Sequence, residues 1–223
     1  MHQRKTKKVF VYFFLLIIVS SISNNSIKGN KLNQIKKINI SGLHESDNQK
    51  LLNEIKNLSL GNIFFINENE IIKLINANSL IERYEVFKKY PSTIDIKIEQ
   101  TKFYAKINNK GKTFLIGSNG KLTLSKSNNS ELPFIFGKPN IHKFLEFKKI
   151  IDESKFSYKK IKNLYFFPSN RWDLKLKDDI LLRLPNKPTY ETLNYLYEFL
   201  ENYQRESLNI VDARIENQII LNE

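Results

Sequence analysis

The residues of this chain with the most chemistry to offer are its carboxylates. Two carboxyl groups held a few ångströms apart are the machinery of acid–base hydrolysis, and Asp173, Asp178, Asp179 and Glu99 are the candidates for such pairs. Nothing in their spacing fixes that geometry, and acidic residues on strand surfaces and in turns are ordinarily solvated. Other reagents are scarcer. His2, His44 and His142 are the only histidines, and none has the close spacing that a zinc site or a histidine-based catalytic site uses. Cys is absent, which removes thiolate ligands, thiol nucleophiles and disulfides. With no nucleophile paired to a base and no glycine-rich phosphate loop, the chain is expected to work without catalysis, cofactor, metal or small-molecule substrate.

The formal net charge of +13 raises nucleic acid and anionic lipid as partners. The excess is nearly all Lys, with only six Arg, and it is dispersed. The densest internal clusters, Lys36-Lys37, Lys148-Lys149 and Lys159-Lys160, are pairs rather than stripes. Scattered Lys keeps a domain soluble without building a groove, so no nucleic-acid site is expected. Attraction to a negative membrane surface or to anionic envelope polymers is the alternative.

The N-terminus is organised differently. Arg4, Lys5, Lys7 and Lys8 precede an uncharged apolar run over residues 9–22, and no charged side chain follows until Lys28. Positive charges before an apolar run hold that end in the cytoplasm and place the rest across the membrane. As a helix, residues 9–22 span only about 21 Å and residues 9–27 about 28 Å, against a hydrocarbon core of about 30 Å. A transmembrane anchor over 9–27, behind a tip over 1–8, is the favoured reading. A cleaved secretory signal, with Ser21-Ile22-Ser23 at the cleavage point, is the other.

Residues 28–34 form a polar spacer, and a folded pattern begins at Ile35. A strand through Ile38 and Ile40 ends at Ser41-Gly42, and Ser46 or Asp47 then caps a helix through Leu51, Leu52, Ile55 and Leu58. The apolar run 63–66 follows, and Asn67 caps a second helix with Ile71, Ile72, Leu74 and Ile75 on its buried side. Two strands over 81–89 and 93–99 close the module. Strand, helix, helix, strand, strand makes a three-stranded sheet with two helices on one face. Beyond Gln100 the pattern is a meander over 103–107, 112–116 and 121–125, with Gly and Asn at the turns. A rigid crossing over 132–139, a helix over 142–154 and strands over 161–167, 172–176 and 180–184 come next. The amphipathic helix 189–203 carries Leu193, Leu196, Tyr197 and Leu200, and strands over 208–213 and 218–221 end the chain.

These segments carry a pattern that resembles the FtsQ (DivIB) family of bacterial cell-division proteins. The first module is similar to a POTRA domain through I-x-I-S-G at 38–42, G-N-I-F-F-I at 61–66 and K-K-Y-P-S-T-I-D-I-K-I-E-Q at 88–100, with Tyr90-Pro91 at the family's aromatic-Pro position. In the second region, G-S-N-G-K-L at 117–122, Leu132-Pro133 followed by Gly137, R-W-D-L-K-L at 171–176 and V-D-A-R at 211–214 resemble family motifs in the family's order. Ala213 replaces the usual Leu. The fold class expected is α+β: an N-terminal transmembrane helix, a small βααββ POTRA domain over 35–100, then a larger, mainly antiparallel β domain with flanking helices over 101–223.

Each motif also has a reading that needs no partner. Trp172 and Leu174 should face a core while Arg171, Asp173 and Lys175 alternate outward, and Tyr90-Pro91 builds a turn. Asp212 and Arg214 share a strand face at i, i+2, where an exposed ion pair contributes at most about 1 kcal/mol. The resemblance implies a divisome scaffold in the inner membrane at the septum, with its bulk in the periplasm. A C-terminal sheet edge would receive a strand from FtsB, itself complexed with FtsL, in the control of septal peptidoglycan synthesis. Asp212, Arg214, Ile215, Ile219, Ile220 and Leu221 are the residues expected to carry that contact. The competing class is a secreted or anchored POTRA protein handling other envelope polypeptides, whose chains continue into a membrane β-barrel.

Overall fold

The computed structural model describes residues 3–21, 34–125, 131–203, 208–215 and 218–222. The chain divides into two compact units, one of residues 1–77 and 84–99, the other of residues 78–83 and 100–223.

In the first unit, β1 (Lys37–Ser41), α2 (Glu45–Lys56), α3 (Glu68–Ala77), β2 (Ile81–Lys89) and β3 (Thr93–Gln100) appear in the expected βααββ order. The sheet order is β1-β3-β2, with β1 parallel to β3. Alternation along β3 buries Ile94, Ile96 and Ile98, and the two helices cover them with Leu51, Ile55, Ile71 and Ile75. Gly42, at φ 113°, ends β1 where a Cβ would run into the Ile98 carbonyl, so only glycine fits the turn. Helix α2 starts before both expected caps, Ser46 and Asp47, which lie inside its first turn. His44 occupies its N-cap position without a side-chain cap bond, while Asn48 turns back to accept from Leu43 N at 3.3 Å and donate to Leu43 O at 3.0 Å. The Tyr90-Pro91 peptide is cis.

The second unit is built on a nine-stranded sheet of order β12-β11-β10-β9-β8-β7-β4-β5-β6. Its strands are β4 (Phe103–Asn109), β5 (Lys112–Gly117), β6 (Leu122–Leu124), β7 (Phe134–Phe136), β8 (Ile161–Phe166), β9 (Trp172–Leu176), β10 (Leu181–Arg183), β11 (Ile210–Asp212) and β12 (Ile220–Asn222). Most pairings are antiparallel, but β4–β7, β7–β8 and β10–β11 are parallel. The rigid crossing expected over 132–139 is therefore a central strand. Three residues between Pro133 and Gly137 carry too little periodicity to announce it, and β4 and β8 supply the pairing that sequence pattern cannot. Gly137, at φ 99°, closes that strand against the Phe166 carbonyl.

Helices α4 (Ile141–Glu153) and α5 (Tyr190–Asn202) cover one face of this sheet. Asn140 caps α4 through His142 N at 2.9 Å, and Thr189 and Thr192 form a reciprocal cap on α5. Phe147 stacks on Trp172 with ring centroids 5.0 Å apart, and Leu193, Leu196 and Leu200 meet Leu182, Leu184 and Val211 in the same core. Lys148 departs from the expected solvated surface. It is buried between the rings of Tyr104 and Tyr158, with its ammonium 2.5 Å from Asp152. Within the same unit, Asn119 donates to the carbonyls of Ser79 and Ile81 at 3.0 and 2.8 Å, and Glu82 accepts from Ser118 and Thr101.

Helix α1 spans Gln3–Ser21, and its residues 9–19 expose their apolar side chains. No helix among the described residues is long and apolar enough to cross a membrane. Residues 22–27 of the expected anchor, and 28–33 of the spacer, lie outside the described residues.

Replacing Gly137 by Ala combines a left-handed backbone with a collision against backbone and should cost about 2–4 kcal/mol. Urea unfolding followed by the fluorescence of Trp172, which is packed by Phe144, Phe147 and Phe166, measures it as a lower midpoint at unchanged slope.

Candidate functional site

The last two strands form the rim of the large sheet. Val211 pairs with Leu182 of β10 on one side and with Leu221 of β12 on the other, which puts Val211 and Leu221 over the helices. Asp212 pairs with Ile220, so both stand on the opposite face. Ile219 and Leu221 pack against the core, whereas Ile215 and Ile220 are about half exposed. The six residues expected to act together therefore split: two apolar side chains anchor the rim and two are presented to solvent.

Register also determines which backbone groups stay open. Leu181 N donates to Asn209 O and Ala213 N donates to Arg183 O, so residues 211 and 213 turn their polar groups toward β10. By alternation Ile210 and Asp212 turn theirs toward β12, where their partners are Asn222 and Ile220. That leaves the N–H and C=O of Leu221 directed away from the sheet. Among the described residues no strand pairs with this outer side of β12.

Charges brace the opposite face of the rim. Asp173, Arg183 and Asp212 are cross-strand neighbours on β9, β10 and β11. Arg214 closes on Asp212 through Nε at 2.9 Å and Nη2 at 2.6 Å, its own backbone N–H donates at 3.1 Å, and Arg183 stands 3.6 Å away. The pair expected as an exposed local contact thus encloses a carboxylate that is 8% exposed. Burial pulls the Asp212 pKa up, but the hydrogen bonds from Arg214 and the two cations outweigh it and hold the carboxyl below its usual value. Asp173 goes the other way. It was expected to point into solvent, yet it is 3% exposed under Arg171, whose guanidinium lies over the ring of Phe167. Burial raises its pKa despite the bond from Arg171. The sequence pattern missed Arg183, since only the β10–β11 register brings it to Asp212.

A cleft of about 690 Å³ opens beside the rim, lined in part by Lys187, Thr192, Tyr195, Arg214, Ile215 and Gln218. It joins the start of α5 to the segment between β11 and β12, and its wall carries both the Arg214 guanidinium and the Glu191 carboxylate. The carboxylates considered for hydrolysis do not assemble here. Asp173 is held by Arg171, and Asp179 sits in the β9–β10 turn against Lys162 at 3.0 Å. Among the described residues no cluster of His, Cys, Asp or Glu could hold a metal ion.

The families matched by this chain meet near residue 100, where the second unit takes over apart from residues 78–83. The family described as POTRA domain, FtsQ-type, matches residues 33–100, and the family described as cell division protein FtsQ/DivIB, C-terminal, matches residues 100–214. Among solved structures, the major extracytoplasmic domain of the trans isomer of the bacterial cell-division protein DivIB from Geobacillus stearothermophilus matches at 15% identity and a TM-score of 0.33, over 46% of this chain and 87% of that one. No curated protein matches the chain.

The two ladder carboxylates should have opposite effects on acid stability. The unfolded chain binds a proton at Asp212 more readily than the folded one, so this residue's contribution is complete above the usual aspartate range and disappears as pH falls through its lowered value. Asp173 holds its proton more tightly when folded, so its contribution falls as pH rises through the raised value. Urea titrations across the acid range should show Asp212→Asn losing about 1 kcal/mol at neutral pH, since Arg214 is half exposed, with the deficit vanishing in acid. Asp173→Asn should remove the opposite slope.

Proposed function

The chain belongs to the FtsQ/DivIB family of bacterial cell-division proteins, and on that premise we propose that it is a divisome scaffold working by docking rather than catalysis. Its β12 edge takes up an extended strand from an FtsB-type partner carried with an FtsL-type protein, and this assembly helps control septal peptidoglycan synthesis. Residues 9–27 hold it in the inner membrane with both folded units on the periplasmic side, at the division septum.

The observation that carries this reading is the outward Leu221 backbone at the rim of a nine-stranded sheet. An open edge offers unpaired donors and acceptors to an incoming strand, which supplies affinity, while neighbouring pockets select side chains. Ile215 and Ile220 provide exposed apolar contact at this rim, and the cleft beside Tyr195 and Arg214 takes side chains of the partner.

Proline at Leu221 removes the outward donor, whereas proline at Ile220 removes the bond that seats β12 on β11. Leu221→Pro should weaken capture of the partner complex by about tenfold, the equivalent of one hydrogen bond, while Trp172 fluorescence reports an intact core. Ile220→Pro should detach β12 and lose more. Undiminished binding by a folded Leu221→Pro chain removes the edge from the interface. In dividing cells a tagged full-length chain should band at midcell and stay with the membrane fraction; a diffuse signal from a shortened chain argues for a secreted protein.

A further inference from the structure

The first unit carries an aromatic tip that the strand-docking function does not use. In the loop between α2 and α3, Ile63 is fully buried while Phe64 and Phe65 are 51% and 56% exposed. The local backbone enforces this arrangement. Phe64 N donates to the Asn62 side chain at 2.9 Å and Phe65 N donates to the Asn62 carbonyl at 3.0 Å, so Ile63 plugs the core and the next two rings are turned out. Tyr90, 60% exposed in the β2–β3 turn, stacks on Phe64 with centroids 5.0 Å apart. Three adjoining aromatic side chains on a soluble surface mark a place of contact.

The tip lies where the chain enters the unit. Gln34 bridges to Asn62, Ile35 N donates to Gly61 O, and Lys36 and Lys37 N–H groups both donate to Ser92 O. The parallel pairing of β1 with β3 then runs away from this end toward Gly42 and Gln100, roughly 25 Å further along. Twelve residues, 22–33, separate Gln34 from the end of α1, a reach of about 45 Å at full extension. The apolar side chains of α1, 45% exposed at Ile17 and 72% at Phe10, require an apolar surrounding.

Charge around the tip is unevenly spent. Lys88 engages Glu68 at 2.6 Å and Lys89 engages Asp95. Lys36 and Lys37 are exposed, Lys37 adding to the field of Lys89 at Asp95, and Lys28 and Lys31 precede them in the sequence. Exposed aromatic rings rimmed by Lys, next to the tether of an apolar helix, match the chemistry of an anionic lipid headgroup layer.

We propose that the Phe64, Phe65 and Tyr90 tip docks on an anionic phospholipid surface, holding the first unit against the membrane with its Gly42 end outward. The proposal rests on the reading that residues 9–27 keep the chain at a membrane. It differs in placing the folded unit, rather than the tether alone, in contact with lipid.

Because the chain has no Cys, Phe65→Cys and Ser46→Cys each introduce one site for an environment-sensitive fluorophore, the second at the opposite end of the unit. The full-length labelled chains are incorporated into phosphatidylcholine vesicles with and without phosphatidylglycerol, and quenching by headgroup-level spin-labelled lipid is measured. The label at position 65 should be blue-shifted and lose most of its intensity in vesicles containing phosphatidylglycerol. The label at position 46 should stay bright, and adding Phe64→Ser with Tyr90→Ser, or Lys36→Glu with Lys37→Glu, should restore emission at 65. Equal quenching at 46 and 65 overturns the proposal while leaving the chain membrane-bound. A blue-shifted 65 label insensitive to lipid quencher points to a second copy on the tip and overturns it too. A chain that washes off the vesicles at high pH overturns the tether reading together with it.

Discussion

Every N–H and C=O of a strand needs a partner, and among the described residues β12 meets that requirement on one side only. Its inner side is satisfied by β11, and the Leu221 amide and carbonyl are directed outward. Water can satisfy such an edge, and so can a further strand. The rest of the second unit keeps that boundary in place. Leu221 and Ile219 are drawn into the core shared with α4 and α5, so the rim cannot drift, and the capped start of α5 sets one wall of the adjoining cleft.

Fixing a short edge strand is harder than fixing a central one, and here electrostatics helps. β11 has three residues and β12 three, too few for hydrogen bonds alone to select a register. Asp212, enclosed by Arg214 and approached by Arg183, ties β11 to β10 on the face away from the helices. The neighbouring Asp173 is worse compensated, with burial winning over Arg171. A partly uncompensated buried charge costs stability, and its pairing with a specific partner penalises any slip that would leave it alone.

The first unit shows the same economy in reverse. Its core is complete with Ile63, Ile94 and Ile96 fully buried, yet two phenylalanines and a tyrosine stay outside at the chain-entry end. Burying them would require space that the three-stranded sheet and two short helices do not enclose. Asn62 instead fixes the loop so that Ile63 faces inward and both Phe64 and Phe65 face outward. Rings held rigidly in water are exposed at a cost that a soluble domain acting alone has no reason to bear.

Amino-acid pattern alone determined the helices, the βααββ order and the long strands, because these rest on local periodicity, caps and turn residues: Thr189 before α5, alternating Ile along β3, Gly and Asn between β4 and β5. It also carried the family likeness, whose motifs fall at turns such as Gly42 and Gly137, where a neighbouring carbonyl leaves no room for a Cβ. Tertiary structure decided what depends on contacts distant in sequence. Strand β7 exists because β4 and β8 flank it, Asp173 and Lys148 are buried because other elements close over them, and Phe64 and Phe65 face water although their apolar run reads like core. The outward direction of Leu221 belongs to the same class: the direction of a backbone amide follows from which strand lies beside it, and a chain of residues specifies that neighbour only once folded.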